Sequence, residues 1–108
     1  MKTALLVDDL FFSSKISEIA KQVGARIVFC RSAESVPTDA NRICVDLNAT
    51  TFDALAEIRK LNTTRGVPIF AYLSHVQVEL KKQAEDAGAT EVMPRSAFVQ
   101  RLAAILSD

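Results

Sequence analysis

The sequence contains few of the residues on which several common kinds of site depend. It has three glycines, Gly24, Gly66 and Gly88, and none follows the first apolar run, where a dinucleotide-binding turn needs a glycine cluster. Its single histidine, His75, has no second histidine or suitably spaced cysteine to form a transition-metal site. A serine hydrolase is not favoured either, since Ser74 has no evident base and no elbow glycines.

The sequence also has no excess of charge of one sign and no long apolar run. Thirteen basic and thirteen acidic residues give a formal net charge of zero, so nothing predicts a nucleic-acid or anionic-membrane partner. No apolar run approaches the roughly 20 residues of a transmembrane helix, and the first residues do not resemble a signal peptide. These features predict a cytoplasmic protein in which Cys30 and Cys44 are reduced and buried.

Five short apolar runs are present instead, and their nearly continuous hydrophobicity is typical of strands buried on both faces of a parallel sheet. They are residues 4–7, 26–30, 42–47, 68–73 and 90–93. The length of 108 residues predicts a single domain over residues 1–108, with no output domain.

Helical periodicity occupies the segments between and after these runs. The apolar sets are Ile16, Ile19, Ala20 and Val23; Phe52, Leu55, Ile58 and Leu61; Val76, Leu80, Ala84 and Ala87; and Phe98, Leu102 and Ile105. Ser13 or Ser14 could cap the first helix, with Gly24 past its end, and the third set stops at Gly88. Between the second and third strands, Pro37 limits any helix to about two turns.

The alternation of strands and helices predicts a flavodoxin-like α/β fold. It is a three-layer sandwich with a five-stranded parallel sheet of order 2-1-3-4-5 and helices on both faces. In such sheets, binding sites lie beyond the carboxyl ends of the strands, beside the switch point between strands 1 and 3. The functional residues are therefore expected at that edge.

Three aspartates follow strands that this topology makes neighbours. Asp8 and Asp9 come after the first strand, and Asp46 ends the third. Carboxylates about 4 Å apart repel by ~4 kcal/mol at an effective dielectric constant near 20, so the cluster needs a cation, a raised pKa or a basic side chain. Mg²⁺ is a suitable cation, and Arg95 is the nearest basic residue. A simpler alternative stays open, in which these aspartates only cap helices.

With these residues in place, the chain resembles the receiver domain of response regulators in two-component signalling. The resemblance covers essentially the whole chain and rests on "VDD", on the aspartate of "VDLN" and on "GATEVMPR". It implies that Asp8, Asp9, Asp46 and the backbone carbonyl of Asn48 bind Mg²⁺. It also implies that Asp46 accepts a phosphoryl group from a histidine kinase or a phosphotransfer protein.

The residues expected to bind the phosphoryl group depart from the family pattern. Arg95 stands where the family has lysine, and the two are not equivalent in length or geometry. Ser74 can supply the hydroxyl of the family only with a shift of one residue, because Leu73 falls at that position when no gap is allowed. Val92 occupies the position of the aromatic switch residue. The chain therefore resembles a divergent or pseudo-receiver subgroup.

Two functions follow from this resemblance. The first is a stand-alone receiver-like signalling domain of a phosphorelay, with Asp46 as phosphoacceptor and an unknown downstream protein as its partner. The alternative is a phosphorylation-independent pseudo-receiver that acts as a protein-interaction module, in which Arg95 forms a fixed salt bridge with Asp46. An enzyme that uses the acids for metal-assisted hydrolysis is not expected, since no substrate-binding insertion or lid loop accompanies them.

Overall fold

The computed structural model describes residues 2–75 and 77–107. Within these ranges the strands are β1 (Lys2–Leu6), β2 (Arg26–Phe29), β3 (Arg42–Asp46), β4 (Ile69–Leu73) and β5 (Glu91–Pro94). The α-helices are α1 (Leu10–Val23), α2 (Ala54–Thr64), α3 (Val78–Ala87) and α4 (Arg95–Ser107). Val76, which the apolar pattern assigned to the third of these helices, lies outside the described residues.

The five strands form one parallel sheet in the order β2-β1-β3-β4-β5, so the predicted flavodoxin-like fold is confirmed. Helices α1 and α4 pack together on one face of the sheet, and α2 and α3 pack on the other. The chain reverses its winding between β1 and β3, which leaves a crevice at their carboxyl ends. No helix in the described part of the chain is long and apolar enough to span a bilayer.

The strand side chains alternate between two hydrophobic layers, as expected for a sheet covered on both faces. Toward α1 and α4 the core contains Leu5, Phe12, Ile16, Cys44, Tyr72, Met93, Phe98 and Leu102. Toward α2 and α3 it contains Leu6, Cys30, Val45, Ile58, Leu61, Ala71, Leu73 and Ala84. Both cysteines are free and buried, as predicted.

The connection between β2 and β3 differs from the helix that the alternation assumed. It contains a 3₁₀-helix of three residues, Ala33–Ser35, with Pro37 two residues beyond it. Two side chains anchor this short turn: the buried Glu57 carboxylate accepts a hydrogen bond from Ala33 N–H at 2.7 Å, and Arg65 donates to the carbonyl groups of residues 36 and 37. Hydrogen bonds made by the side chains of Glu57 and Arg65 therefore hold this connection in place of the backbone hydrogen bonds of a longer helix.

Candidate functional site

The neighbouring strands β1 and β3 bring the three predicted aspartates to one edge of the sheet. Asp8 and Asp9 follow β1, and Asp46 is the last residue of β3. Arg95 is the first residue of α4, directly after β5. All four side chains therefore lie at the carboxyl edge, where the topology predicts a site.

Asp8 is held by the loop that follows β3. Its Oδ2 atom accepts hydrogen bonds from the backbone N–H groups of Thr50 and Thr51, at 2.8 and 2.9 Å, and from the Thr51 hydroxyl at 3.0 Å. Burial alone would raise the pKa of Asp8, but the hydrogen bonds from Thr51 and Thr50 together outweigh it and lower the pKa below its ordinary value. Donors within the chain therefore compensate this carboxylate.

Asp9 is the N-cap of α1. Its Oδ1 atom accepts a hydrogen bond from the Phe12 N–H at 3.1 Å, and its Oδ2 atom lies 3.7 Å from Nη2 of Arg95. The prediction that Ser13 or Ser14 caps this helix was wrong, because the helix begins before both serines. The capping role that stayed open for the adjacent aspartates therefore applies to Asp9.

Asp46 is the most buried of the three aspartates, with 3% of its surface exposed. Its Oδ1 atom accepts a hydrogen bond from the Asn48 N–H at 2.9 Å. Burial raises the pKa of Asp46; the Asn48 N–H and the charge of Arg95 oppose that shift, while the charges of Asp8 and Asp9 add to it, and the result is a raised pKa. Asp46 is thus a desolvated carboxylate whose charge is poorly compensated.

Arg95 is held against aromatic side chains. Its guanidinium carbon lies 4.6 Å from the centre of the Phe12 ring and 5.8 Å from that of Tyr72, which is cation–π geometry. Its Nε atom is buried and has no hydrogen-bond partner in the described part of the chain. Among the described residues its ion pair is the long contact with Asp9. The salt bridge to Asp46 that the pseudo-receiver hypothesis assumed is therefore not formed.

The side chain of Asn48 joins the loops that follow β3 and β4. Its Oδ1 atom accepts from the Ser74 N–H at 2.7 Å and from the Ser74 hydroxyl at 3.1 Å, and its Nδ2 atom donates to Oε1 of Gln77 at 3.0 Å. The same hydroxyl lies 3.2 Å from Nδ1 of His75. Leu73 is buried against α2 and α3. The predicted phosphoryl-binding hydroxyl is therefore already bonded to Asn48, in the loop that follows β3, and lies next to His75 in its own loop.

The three carboxylates have separate partners, which are Thr50 and Thr51 for Asp8, Phe12 and Arg95 for Asp9, and Asn48 for Asp46. Within residues 2–75 and 77–107, no three acidic, histidine or cysteine side chains are grouped closely enough to hold a metal ion as they stand. The donor set is nevertheless the one that a hard divalent cation prefers, since its side-chain ligands are all carboxylate oxygens. The weak, half-exposed contact between Asp9 and Arg95 is easily exchanged for a metal ligand.

Several residues at this edge were not found from the sequence. Thr50 and Thr51 bind Asp8, Gln77 binds Asn48, and Tyr72 packs beneath Arg95. One signal was available for Tyr72: it is the only tyrosine of the chain and lies one residue before the end of the predicted fourth strand. No local pattern identifies the two threonines or the glutamine, because their contacts join separate loops.

Opposite pH effects are expected for Asp46 and Asp8. Since folding raises the pKa of Asp46, the protonated form stabilises the folded chain below its ordinary pKa of 3.8, and that stability is lost as the pH rises through the folded pKa. At neutral pH, Asp46→Asn should therefore raise the free energy of unfolding by about 1 kcal/mol, or roughly 4–8 °C in melting temperature.

Asp8 provides the matched control. Its pKa is lowered, so its contribution is present above 3.8 and is lost as the pH falls through the folded pKa. Asp8→Asn should therefore lower the melting temperature at neutral pH and have less effect in acid. Thermal denaturation followed by circular dichroism between pH 3 and 8 measures both variants. A lower melting temperature for Asp46→Asn at pH 7 would contradict the assignment.

Comparisons with known proteins agree with the architecture of this edge. No protein-family model matches the sequence, and no curated protein matches it. Solved structures do match. A response regulator from Burkholderia pseudomallei, with a phosphorylated aspartic acid, a calcium ion and citrate, superposes with a TM-score of 0.80 at 18% identity. The match covers 97% of this chain and 65% of that protein. The chain has the fold of a response-regulator receiver domain.

Two further receiver domains extend this likeness along nearly the whole chain. The receiver domain from Rhodospirillum rubrum has a TM-score of 0.80 at 14% identity, over 99% of this chain and 92% of that one. The BeF₃-activated receiver domain of DrrB has a TM-score of 0.76 at 18% identity, over 99% and 97%. Identities this low establish the receiver fold, so the activity must be argued from the residues at the site.

Proposed function

We propose that the chain is a cytoplasmic, receiver-type signalling domain of a phosphorelay, and not an enzyme, in which Asp46 accepts the phosphoryl group. The observation that carries the proposal is the state of Asp46. This carboxylate ends the central strand, has one oxygen oriented by the Asn48 N–H, and has no hydrogen bond to its Oδ2 atom from the described residues. One oxygen is thus fixed while the other is available as a nucleophile.

The residues around Asp46 suit this role. Asp8, Asp9, Asp46 and the backbone carbonyl of Asn48 would hold Mg²⁺, which supplies positive charge to the phosphoryl oxygens when bound. A calcium ion in the Burkholderia pseudomallei structure supports a divalent cation in this fold. Arg95 would provide a cation from the chain itself once it leaves Asp9, with its planar guanidinium suited to two phosphoryl oxygens.

The transfer itself is a displacement at phosphorus. An Asp46 carboxylate oxygen attacks, an O–P bond forms, and the bond from phosphorus to the donor breaks. The electron pair leaves with the donor, which is an imidazole that takes up a proton when the donor is a phosphohistidine, or acetate when it is acetyl phosphate. Burial of Asp46 raises its pKa and favours its protonated form. Positive charge from Mg²⁺ or Arg95 would favour the ionised form, which is the nucleophile.

A phosphodonor assay tests the proposal. Incubation with acetyl phosphate and Mg²⁺ should add one phosphoryl group per chain, seen as one retarded band on a Phos-tag gel. Asp46→Asn, which preserves the acceptor for the Asn48 N–H, should show no such band, and removal of the metal with EDTA should abolish the band in the unmodified chain. A retarded band of equal intensity in Asp46→Asn would refute Asp46 as the acceptor.

A phosphorylation-independent pseudo-receiver is the second candidate, and two observations favour it. Leu73 is buried at the end of β4, where the resemblance implies a hydroxyl, and Arg95 is packed on Phe12 and Tyr72. In this case acetyl phosphate leaves the chain unmodified, although it is folded by circular dichroism. The assay above therefore separates the two functions.

The downstream partner would contact the face formed by α3, β5 and α4. A cleft of about 270 Å³ lies on the α3 and β5 side of this face, lined by residues that include Leu73, Val78, Val92 and Pro94. Val78 exposes 77% of its surface, which provides an apolar contact for another protein. Val92 stands at the family's aromatic switch position, so the surface would report phosphorylation without an aromatic rotamer change.

A further inference from the structure

The hydroxyl of Tyr72 has no evident structural function in the folded chain. The side chain is 0% exposed, and the hydroxyl has no hydrogen-bond partner in the described part of the chain. Its ring is well packed, 4.6 Å from the ring centre of Phe98 and 5.0 Å from that of Phe12. A phenylalanine would fill this space without leaving a buried polar atom unsatisfied, which is costly and rare. The hydroxyl therefore needs a partner other than the resting protein.

Tyr72 projects from the sheet on the same side as Asp46. The two residues are directly paired between β4 and β3, and paired residues of parallel strands place their side chains on the same face. Arg95 lies over the Tyr72 ring, and its Nε atom is also buried without a partner. Two unused hydrogen-bond donors thus lie on the same face of the sheet as the candidate acceptor.

The phenol remains protonated and is therefore able to donate. Burial raises the pKa of Tyr72, and the charge of Asp46 raises it further, while Arg95 opposes this. The hydroxyl that the resemblance nominates is engaged, because Ser74 is bonded to Asn48 and His75, and the Thr51 hydroxyl is bonded to Asp8. No side-chain hydroxyl comes from the last residue of β4, which is a leucine.

We propose that the Tyr72 hydroxyl is a phosphoryl-binding group that donates a hydrogen bond to an oxygen of the phosphoryl group on Asp46. The inference rests on the proposed function, since it needs Asp46 to be loaded. It deepens that function by naming the hydroxyl donor, which comes from the face of the sheet opposite to the Leu73 side chain.

The variant Tyr72→Phe isolates the hydroxyl, because it keeps the ring and its stacking. A hydrogen bond to a charged group contributes about 1.5–3 kcal/mol, so the variant should bind beryllofluoride about tenfold to a hundredfold more weakly in the presence of Mg²⁺. It should also accept the phosphoryl group from acetyl phosphate about tenfold more slowly. Its melting temperature without these ligands should equal or exceed that of the unmodified chain.

The chain has one tyrosine and no tryptophan, so its near-ultraviolet tyrosine spectrum reports Tyr72 alone. Beryllofluoride with Mg²⁺ should shift the tyrosine absorption band to longer wavelength as the hydroxyl donates its new hydrogen bond. Thr3→Val is the matched control, since it removes another buried hydroxyl at the far end of β1 and should leave both the affinity and the spectral shift unchanged.

The outcomes separate the inference from the function on which it rests. If the unmodified chain is never phosphorylated, the proposed function fails and the role of Tyr72 fails with it. If that chain is phosphorylated and Tyr72→Phe matches it in rate and beryllofluoride affinity, the role of Tyr72 alone is overturned. A clearly lower melting temperature in Tyr72→Phe would make the hydroxyl structural, and this too would overturn the inference.

Discussion

Replacement of Phe98 by alanine is expected to lower the free energy of unfolding by about 3–5 kcal/mol. Phe98 is 0% exposed on α4, and its ring stacks on Tyr72 at an interplanar angle of 22°. The substitution removes a large apolar surface and leaves a cavity under the aromatic group that supports Arg95. For a domain with a typical total stability of about 5–15 kcal/mol, this is a large fraction.

Urea denaturation followed by far-ultraviolet circular dichroism measures this loss, with the slope of the transition used to check that the native state stays compact. Phe98→Leu is the matched control and should cost less, about 1–2 kcal/mol, because it fills most of the cavity. If Phe98→Ala costs less than about 1 kcal/mol, α4 does not pack on the sheet as described. Phe98→Ala should also weaken the binding of beryllofluoride at Asp46, since it removes the ring that holds Tyr72 in place.

The fold could be predicted because its main signals are local and agree with one another. Each apolar run became a strand, and the helices end at Gly24 and Gly88 as their sequence indicates. The exception was the connection from β2 to β3. Its geometry depends on Glu57 and Arg65, which belong to a different part of the chain, and no local pattern near Pro37 reveals those contacts.

The sequence predicted which residues lie at the carboxyl edge of the sheet, but it did not predict the partners of their side chains. The strand order places Asp8, Asp9 and Asp46 together, but the partner of each carboxylate depends on side chains from other segments. Asp9 shows this well, because the same residue satisfies the rule for a helix cap and the rule for an acidic cluster. Arg95 is turned toward Phe12, 83 positions earlier in the chain, which no spacing in the sequence indicates.

Substitution of Gly88 by alanine is expected to lower the free energy of unfolding by about 3–5 kcal/mol, through two separate effects. Gly88 ends α3 with φ +121° and ψ 10°, a backbone conformation that residues with a Cβ atom rarely adopt. An added Cβ would also overlap Asn62 on α2, with its Cβ atom only 2.6 Å away. Because a Cβ atom cannot move by side-chain rotation, the two helices would have to separate.

Two further comparisons divide this loss into its parts. Gly24→Ala adds a methyl group at φ +68° where nothing lies within 4 Å, so it should cost only about 1–2 kcal/mol of backbone strain. In an Asn62→Gly background the overlap disappears, and Gly88→Ala should then cost about 1–3 kcal/mol. Urea denaturation of the four chains of this cycle gives the coupling energy between the two positions. A coupling energy near zero would show that the α2–α3 contact does not constrain Gly88 and that the backbone conformation alone requires glycine there.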